Sequence, residues 1–103
     1  MIALLNHAKS QIGELCRRYD VEQLHVFGSA VHGDFDPARS DIDFVVKFRR
    51  RTPDGEYADR FLGLAEELER LLGCHVDLIT TESVRNRFFR REVESNRELV
   101  YAA

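Results

Sequence analysis

Cysteine is scarce in this sequence of 103 residues, and the two present, Cys16 and Cys74, stand far apart, with neither a C-x-x-C pair nor a metal spacing. None of His7, His25, His32 and His75 falls at a zinc-site distance from them. Both cysteines lie on apolar faces and read as small core residues of a reducing compartment. Long apolar runs are also missing. No stretch approaches the roughly 20 residues of a membrane span, and Asn6, His7 and Lys9 break up the start, so no signal peptide is expected. The expected location is the cytoplasm, with no membrane partner. A basic surplus is lacking as well: 15 Lys and Arg face 18 Asp and Glu, a net charge of −3, which argues against direct nucleic-acid binding. Repeats, linkers and low-complexity segments are absent. The chain reads as one domain, residues 1–103, with little room for a separate substrate-binding module.

What is present is an ordinary globular composition, 44% hydrophobic and 32% charged, with clear periodicity. Leu5, Ala8, Ile12, Leu15, Cys16 and Tyr19 recur at spacings of three and four, which predicts a helix over 2–19. A short strand follows at 24-LHVFG-28. Gly33, Pro37 and several acidic or polar residues make 30–40 a loop, with room for one helical turn after Ser29. The segment 42-IDFVVKF-48 reads as a second strand, and 49-RRRTPDGE-56 as a turn region. Phe61, Leu64, Ala65, Leu68, Leu71 and Leu72 predict a helix over 56–72, stopped by Gly73. A third strand is read at 75-HVDLIT-80. Thr81 is placed as the cap of a last helix carrying Val84, Phe88 and Val93. The expected fold is α/β, a small sheet covered by α-helices.

The chemistry concentrates where the second strand begins. Strand side chains alternate faces, so Asp41 and Asp43 share one face, roughly 7 Å apart at the backbone. Two carboxylates that close repel unless a cation or a proton intervenes. Hard oxygen donors beside a phosphate loop suit Mg²⁺, and paired ions can clamp the attacking and leaving oxygens of an in-line displacement. Asp77, between Val76 and Leu78 in the third strand, is costly to bury unpaired and so needs a reason. A neighbouring strand that brings it beside Asp41 and Asp43, into one site, would supply that reason. Upstream, Gly28 lets a triphosphate approach the backbone, and Ser29 offers a hydroxyl and a backbone N–H.

The stretch 26-VFGSAVHGDFDPARSDIDFVV-46, with Gly28, Ser29, Gly33, Ser40, Asp41 and Asp43 in the family pattern, resembles the minimal nucleotidyltransferases (MNT domains) of the polymerase-β superfamily. The third acid matches at 76-VDLI-79, and 84-VRNRFFRREVESNRELVY-101 is similar to the family's C-terminal helix and tail. The loop between Ser29 and Asp41 holds eleven residues, longer than the common form, with the extra residue placed near Asp34-Phe35-Asp36-Pro37. The resemblance implies a nucleotidyltransferase fold with a mixed β-sheet flanked by α-helices. It implies Mg²⁺-dependent transfer of AMP, with ATP as the substrate. Asp41, Asp43 and Asp77 would be catalytic residues and metal ligands, with Asp77 able to accept the proton of the attacking hydroxyl or orient it. Gly28, Ser29 and Ser40 would serve the nucleotide. It also implies a partner: MNT proteins of this size are similar to antitoxins that pair with HEPN-type ribonuclease toxins and modify a toxin tyrosine. A hetero-oligomer is therefore expected. An antitoxin that neutralises its toxin by binding alone, with an idle metal site, is the alternative.

Other residues carry plainer expectations. His25 and His75 read as satisfied structural histidines, and His32 as an exposed loop residue. Asp34 and Asp36 read as turn formers beside Pro37. Arg39 either meets a triphosphate or is a solvated charge. Arg49, Arg50 and Arg51 form the densest basic run, either a solvated strand end or a docking patch. Arg85, Arg87, Arg90 and Arg91 are offset by Glu82, Glu92 and Glu94. Phe88 and Phe89 must diverge on a helix, one to the core and one to an interface.

Overall fold

A computed structural model describes residues 1–32, 36, 40–84 and 87–103, without the side chains of His32, Phe88, Phe89, Glu92 and Ser95. The expectations for Gly33, Asp34, Phe35, Pro37, Arg39 and Arg85, and those for these five side chains, lie outside the described residues. The element order is α1 (Ala3–Arg18), β1 (Val21–Phe27), α2 (Ser29–His32), β2 (Ile42–Phe48), α3 (Gly55–Leu72) and β3 (Val76–Thr80). A 3-10 turn (Thr81–Ser83), α4 (Arg87–Asn96) and β4 (Glu98–Ala102) complete it. The strands form one sheet in the order β3-β2-β1-β4. β1 runs antiparallel to both β2 and β4, whereas β2 and β3 are parallel, so the sheet is mixed as expected.

The central strand β2 shows why the layers form. Ile42, Phe44, Val46 and Phe48 are fully buried on one face, and Val45 is buried on the other. A strand apolar on both faces needs cover on both. On the first face, Leu5, Ile12 and Cys16 of α1 and Leu64 and Leu68 of α3 close a continuous core with Leu24 and Val26 of β1. On the second, Val93 of α4 and Val84 form a smaller cluster with Val45, joined by Phe27 and Ile79. At about 25 cal/mol per Å² of apolar surface removed from water, this two-sided burial is the main favourable term of the fold. α3 has local stops at both ends. The Tyr57 N–H donates to Asp54 Oδ1 at 2.9 Å, and Gly73 takes the left-handed conformation at φ 69°.

Three elements differ from the sequence reading. Thr81 does not cap the last helix; it lies in the 3-10 turn, where Thr80 Oγ1 accepts from the Ser83 N–H at 3.2 Å, and α4 begins later, at Arg87. β1 begins three residues earlier, at Val21. β4 was not anticipated at all, because only Val100 of its five residues is buried and an edge strand with one inward side chain has almost no period-two signal. Tyr101 lies half-buried on β4 against the core.

Candidate active site

Burial in the core dictates where the acids point. Ile42 and Phe44 are anchored inside, so the residues flanking Ile42, Asp41 and Asp43, are turned to the other face. On β3, Val76 and Leu78 are buried and Asp77 between them is exposed. The expected burial cost of Asp77 therefore does not arise, since alternation puts it on the open face. Its predicted neighbour is nevertheless in place: Asp77 is the direct parallel-sheet partner of Asp43. Asp43 is in turn the antiparallel partner of Phe27, the last residue of β1.

The two neighbouring carboxylates act on Asp43. The Asp43 carboxyl is pushed up to about 6, first by its partial burial, then by the charge of Asp77 and of Asp41. An acid raised by burial and like charges is poised to take a proton or a cation. The donor set is entirely hard oxygen, the chemistry that Mg²⁺ takes with one or two carboxylates and completes with water and phosphate oxygens. Among the described residues, no group of three or more His, Cys, Asp or Glu converges tightly enough to hold a metal by itself. The arrangement fits an ion that shares its coordination with a substrate rather than one held in an all-protein cage.

Gly28 follows Phe27 and has φ +74°, and a Cβ there would lie 2.7 Å from Asp43 Oδ2. The Asp43 carboxylate thus packs directly over the Gly28 α-carbon, a contact that only glycine permits. Ser29 opens the short helix α2, whose turn closes with the Val31 N–H donating to the Gly28 carbonyl at 3.0 Å. Ala30 in that turn is fully buried, and its carbonyl accepts from the Ile2 N–H at 3.0 Å, which ties the loop to the start of α1. Ser40 stands beside Asp41 and is bonded to Asp36: its N–H donates to the Asp36 carbonyl at 2.7 Å, and its Oγ accepts the Asp36 N–H at 3.3 Å.

His75 was read as a structural strand histidine. It lies outside β3, is exposed, and its Nδ1 is 3.7 Å from Asp41 Oδ1 and 3.9 Å from Glu69 Oε1. Its position two residues before Asp77 was the available signal, since that spacing sets both on one side of an extended chain. His25 is half-buried on β1, in line with its structural reading. The arginine run is paired within the chain. Arg49 and Arg50 face Asp20 at 3.7 and 3.5 Å, and Arg51 faces Glu22 and Glu82 at 3.9 and 3.5 Å, which favours the solvated strand end over a docking patch. An open groove of about 460 Å³ lies between α3 and β3, lined by Tyr57, Phe61, Leu62, Leu78 and Ile79. Its apolar walls have no part in charge chemistry.

Comparison with known proteins points the same way. Residues 8–100 match the family model described as Nucleotidyltransferase domain. The protein adenylyltransferase MntA of Thermococcus cleftensis is 36% identical over 88 residues, which cover 85% of this chain and 81% of that protein. A chain from a toxin–antitoxin crystal structure with AMP-PNP superposes with a TM-score of 0.72 at 24% identity, over 92% of this chain and 73% of that chain. A chain from the complex of a tri-AMPylated Shewanella oneidensis HEPN toxin with MNT antitoxin gives a TM-score of 0.66 at 22% identity, over 96% and 73%. At these identities the two structures speak for the fold.

Proposed function

The chain belongs to the nucleotidyltransferase-domain family, and from that premise we propose that it transfers AMP from ATP to a tyrosine hydroxyl of a HEPN-type toxin and thereby acts as its antitoxin. The observation that carries this reading is the row formed by Asp43 and Asp77 on neighbouring strands, with Asp41 beside it and the Gly28 backbone directly beneath the Asp43 carboxylate. The names of relatives support the acceptor and the donor: one relative is a protein adenylyltransferase, and one fold neighbour is a complex with an AMPylated HEPN toxin.

Asp41, Asp43 and Asp77 would hold Mg²⁺, which when bound supplies positive charge against the developing charge of the transferred phosphoryl group. The protein's own residues do the rest. Gly28 and Ser29 receive the β- and γ-phosphates through backbone N–H groups and the Ser29 hydroxyl, with Ser40 supporting the loop from the other side. The toxin hydroxyl attacks the α-phosphorus in line, a new P–O bond forms, and the bond to the bridging oxygen breaks. Pyrophosphate leaves with that electron pair. Asp77, exposed at the open edge of the acid row, orients the attacking hydroxyl or accepts its proton.

The test is incubation of the protein with α-labelled ATP, Mg²⁺ and the product of the neighbouring gene. Label is expected on the partner with the wild type and not with Asp41→Ala,Asp43→Ala. Equal labelling by the two, or none with the wild type, would sink the reading.

A further inference from the structure

The acid row continues across the sheet to a residue that the sequence did not single out. β4 pairs with β1 through Glu98↔Val26 and Leu99↔His25. Extending that register by one residue sets Arg97, the residue just before β4, opposite Phe27, which is itself the partner of Asp43. One row of the sheet therefore reads Asp77, Asp43, Phe27, Arg97. Residues paired across neighbouring strands share a face, so Arg97 stands on the face of the acids. Two strand spacings of about 4.8 Å put its backbone roughly 10 Å from that of Asp43.

Three further observations fit this placement. Arg97 lines the small cavity over Val45 together with Arg90 and Val93, on the sheet face that α4 covers. Its charge reaches that face: the His25 pKa is lowered first by burial and then by Arg97. Arg97 is exposed and forms no ion pair with a carboxylate among the described residues, while Glu94 beside it is taken by Arg90 at 3.4 Å. The row is thus polarised, with two carboxylates at the β3–β2 side, Asp41 next to them, and at the β4 side a guanidinium that pairs with no carboxylate among the described residues. The turn at Gly28 directly follows β1, the strand between them.

A nucleoside triphosphate needs both ends of such a row. Its reacting phosphorus belongs beside the acids, while its non-transferred phosphates gain from a fork of N–H donors that never loses its charge. We propose that Arg97 binds the β- and γ-phosphates of the nucleotide and holds the pyrophosphate as it leaves. The assignment rests on the nucleotidyl-transfer reading of Asp41, Asp43 and Asp77. It makes Arg97 a substrate-contacting residue contributed by an element outside the acid and Gly28–Ser29 motifs.

Calorimetric titration of the full chain with ATP, AMP and inorganic tripolyphosphate, in the presence of Mg²⁺, tests it. Arg97→Ala should weaken ATP and tripolyphosphate about tenfold or more, the scale of one lost charge-assisted hydrogen bond. AMP, which lacks the β- and γ-phosphates, should bind nearly as before, and Arg97→Lys should recover part of the loss. In the transfer assay the same variant should raise KM for ATP more than it lowers kcat. Equal ATP affinity in wild type and Arg97→Ala overturns the proposal, and so does a parallel loss for ATP and AMP with a lowered melting temperature, the mark of a structural role. A wild type without measurable ATP affinity overturns it together with the transferase reading. A wild type that binds ATP through Arg97 yet labels no partner sinks the transferase reading alone.

Discussion

Replacing Asp43 by Asn should stabilise the metal-free protein at neutral pH. The Asp43 carboxyl has a native pKa of about 6, against 3.8 for an ordinary aspartate, because of burial and the neighbouring charges of Asp77 and Asp41. A native pKa raised above the unfolded value means that the contribution to stability is complete below about pH 4 and is lost as pH rises through 6. A shift of two units is about 3 kcal/mol at 1.36 kcal/mol per unit. Asp43 is only half-buried, so solvent screening reduces this to roughly 1–2 kcal/mol. For a domain of this size that is a rise in Tm of roughly 5–10 °C for Asp43→Asn at pH 7.5 in EDTA. Near pH 4 the advantage should vanish, because the wild-type carboxyl is then protonated. Thermal melts of both proteins by circular dichroism across pH 4–8 read the effect directly. A variant that melts below the wild type at pH 7.5, or a difference that does not change with pH, would refute the account of Asp43 as a strained acid.

Other outcomes follow from the same contacts. Gly28→Ala places a methyl 2.7 Å from Asp43 Oδ2 at a backbone φ of +74°. The left-handed conformation costs an L-residue roughly 1–2 kcal/mol, and relief of the clash swings the Asp43 carboxylate away. Transfer should fall much further than stability, and a variant with wild-type transfer would contradict the close Gly28–Asp43 packing. Burial pushes the Cys16 thiol up to about 12, against a smaller opposing effect of Arg17, so native protein at pH 8 should offer a thiol reagent at most Cys74, and two thiols only in denaturant. Rapid reaction of both in the native state would show that α1 does not seal the core.

The sequence disclosed the fold unevenly, for physical reasons. β2 and α3 were legible because Phe44, Val45 and Val46 are buried on both faces of a central strand, and because Asp54 and Gly73 mark both ends of a strongly amphipathic helix. β4 was illegible because its one buried residue, Val100, follows a charged helix, and its strand character comes from pairing with β1 rather than from its own pattern. The same gap hid Arg97, whose relation to Asp43 exists only through the register of β4 on β1. Asp77 was placed beside Asp43 for a partly mistaken reason: register unites them, whereas burial does not compel it. His75 was misread because a histidine at a strand end gives no hint of its neighbours, and those prove to be Asp41 and Glu69.

Intact-mass spectrometry of the partner, co-produced with the wild type or with Asp41→Ala,Asp43→Ala, tests the central claim most directly. The account predicts partner carrying one or more AMP units with the wild type, and unmodified, still toxic partner with the double variant. Unmodified partner that is silenced equally by both proteins would contradict it and establish neutralisation by binding alone.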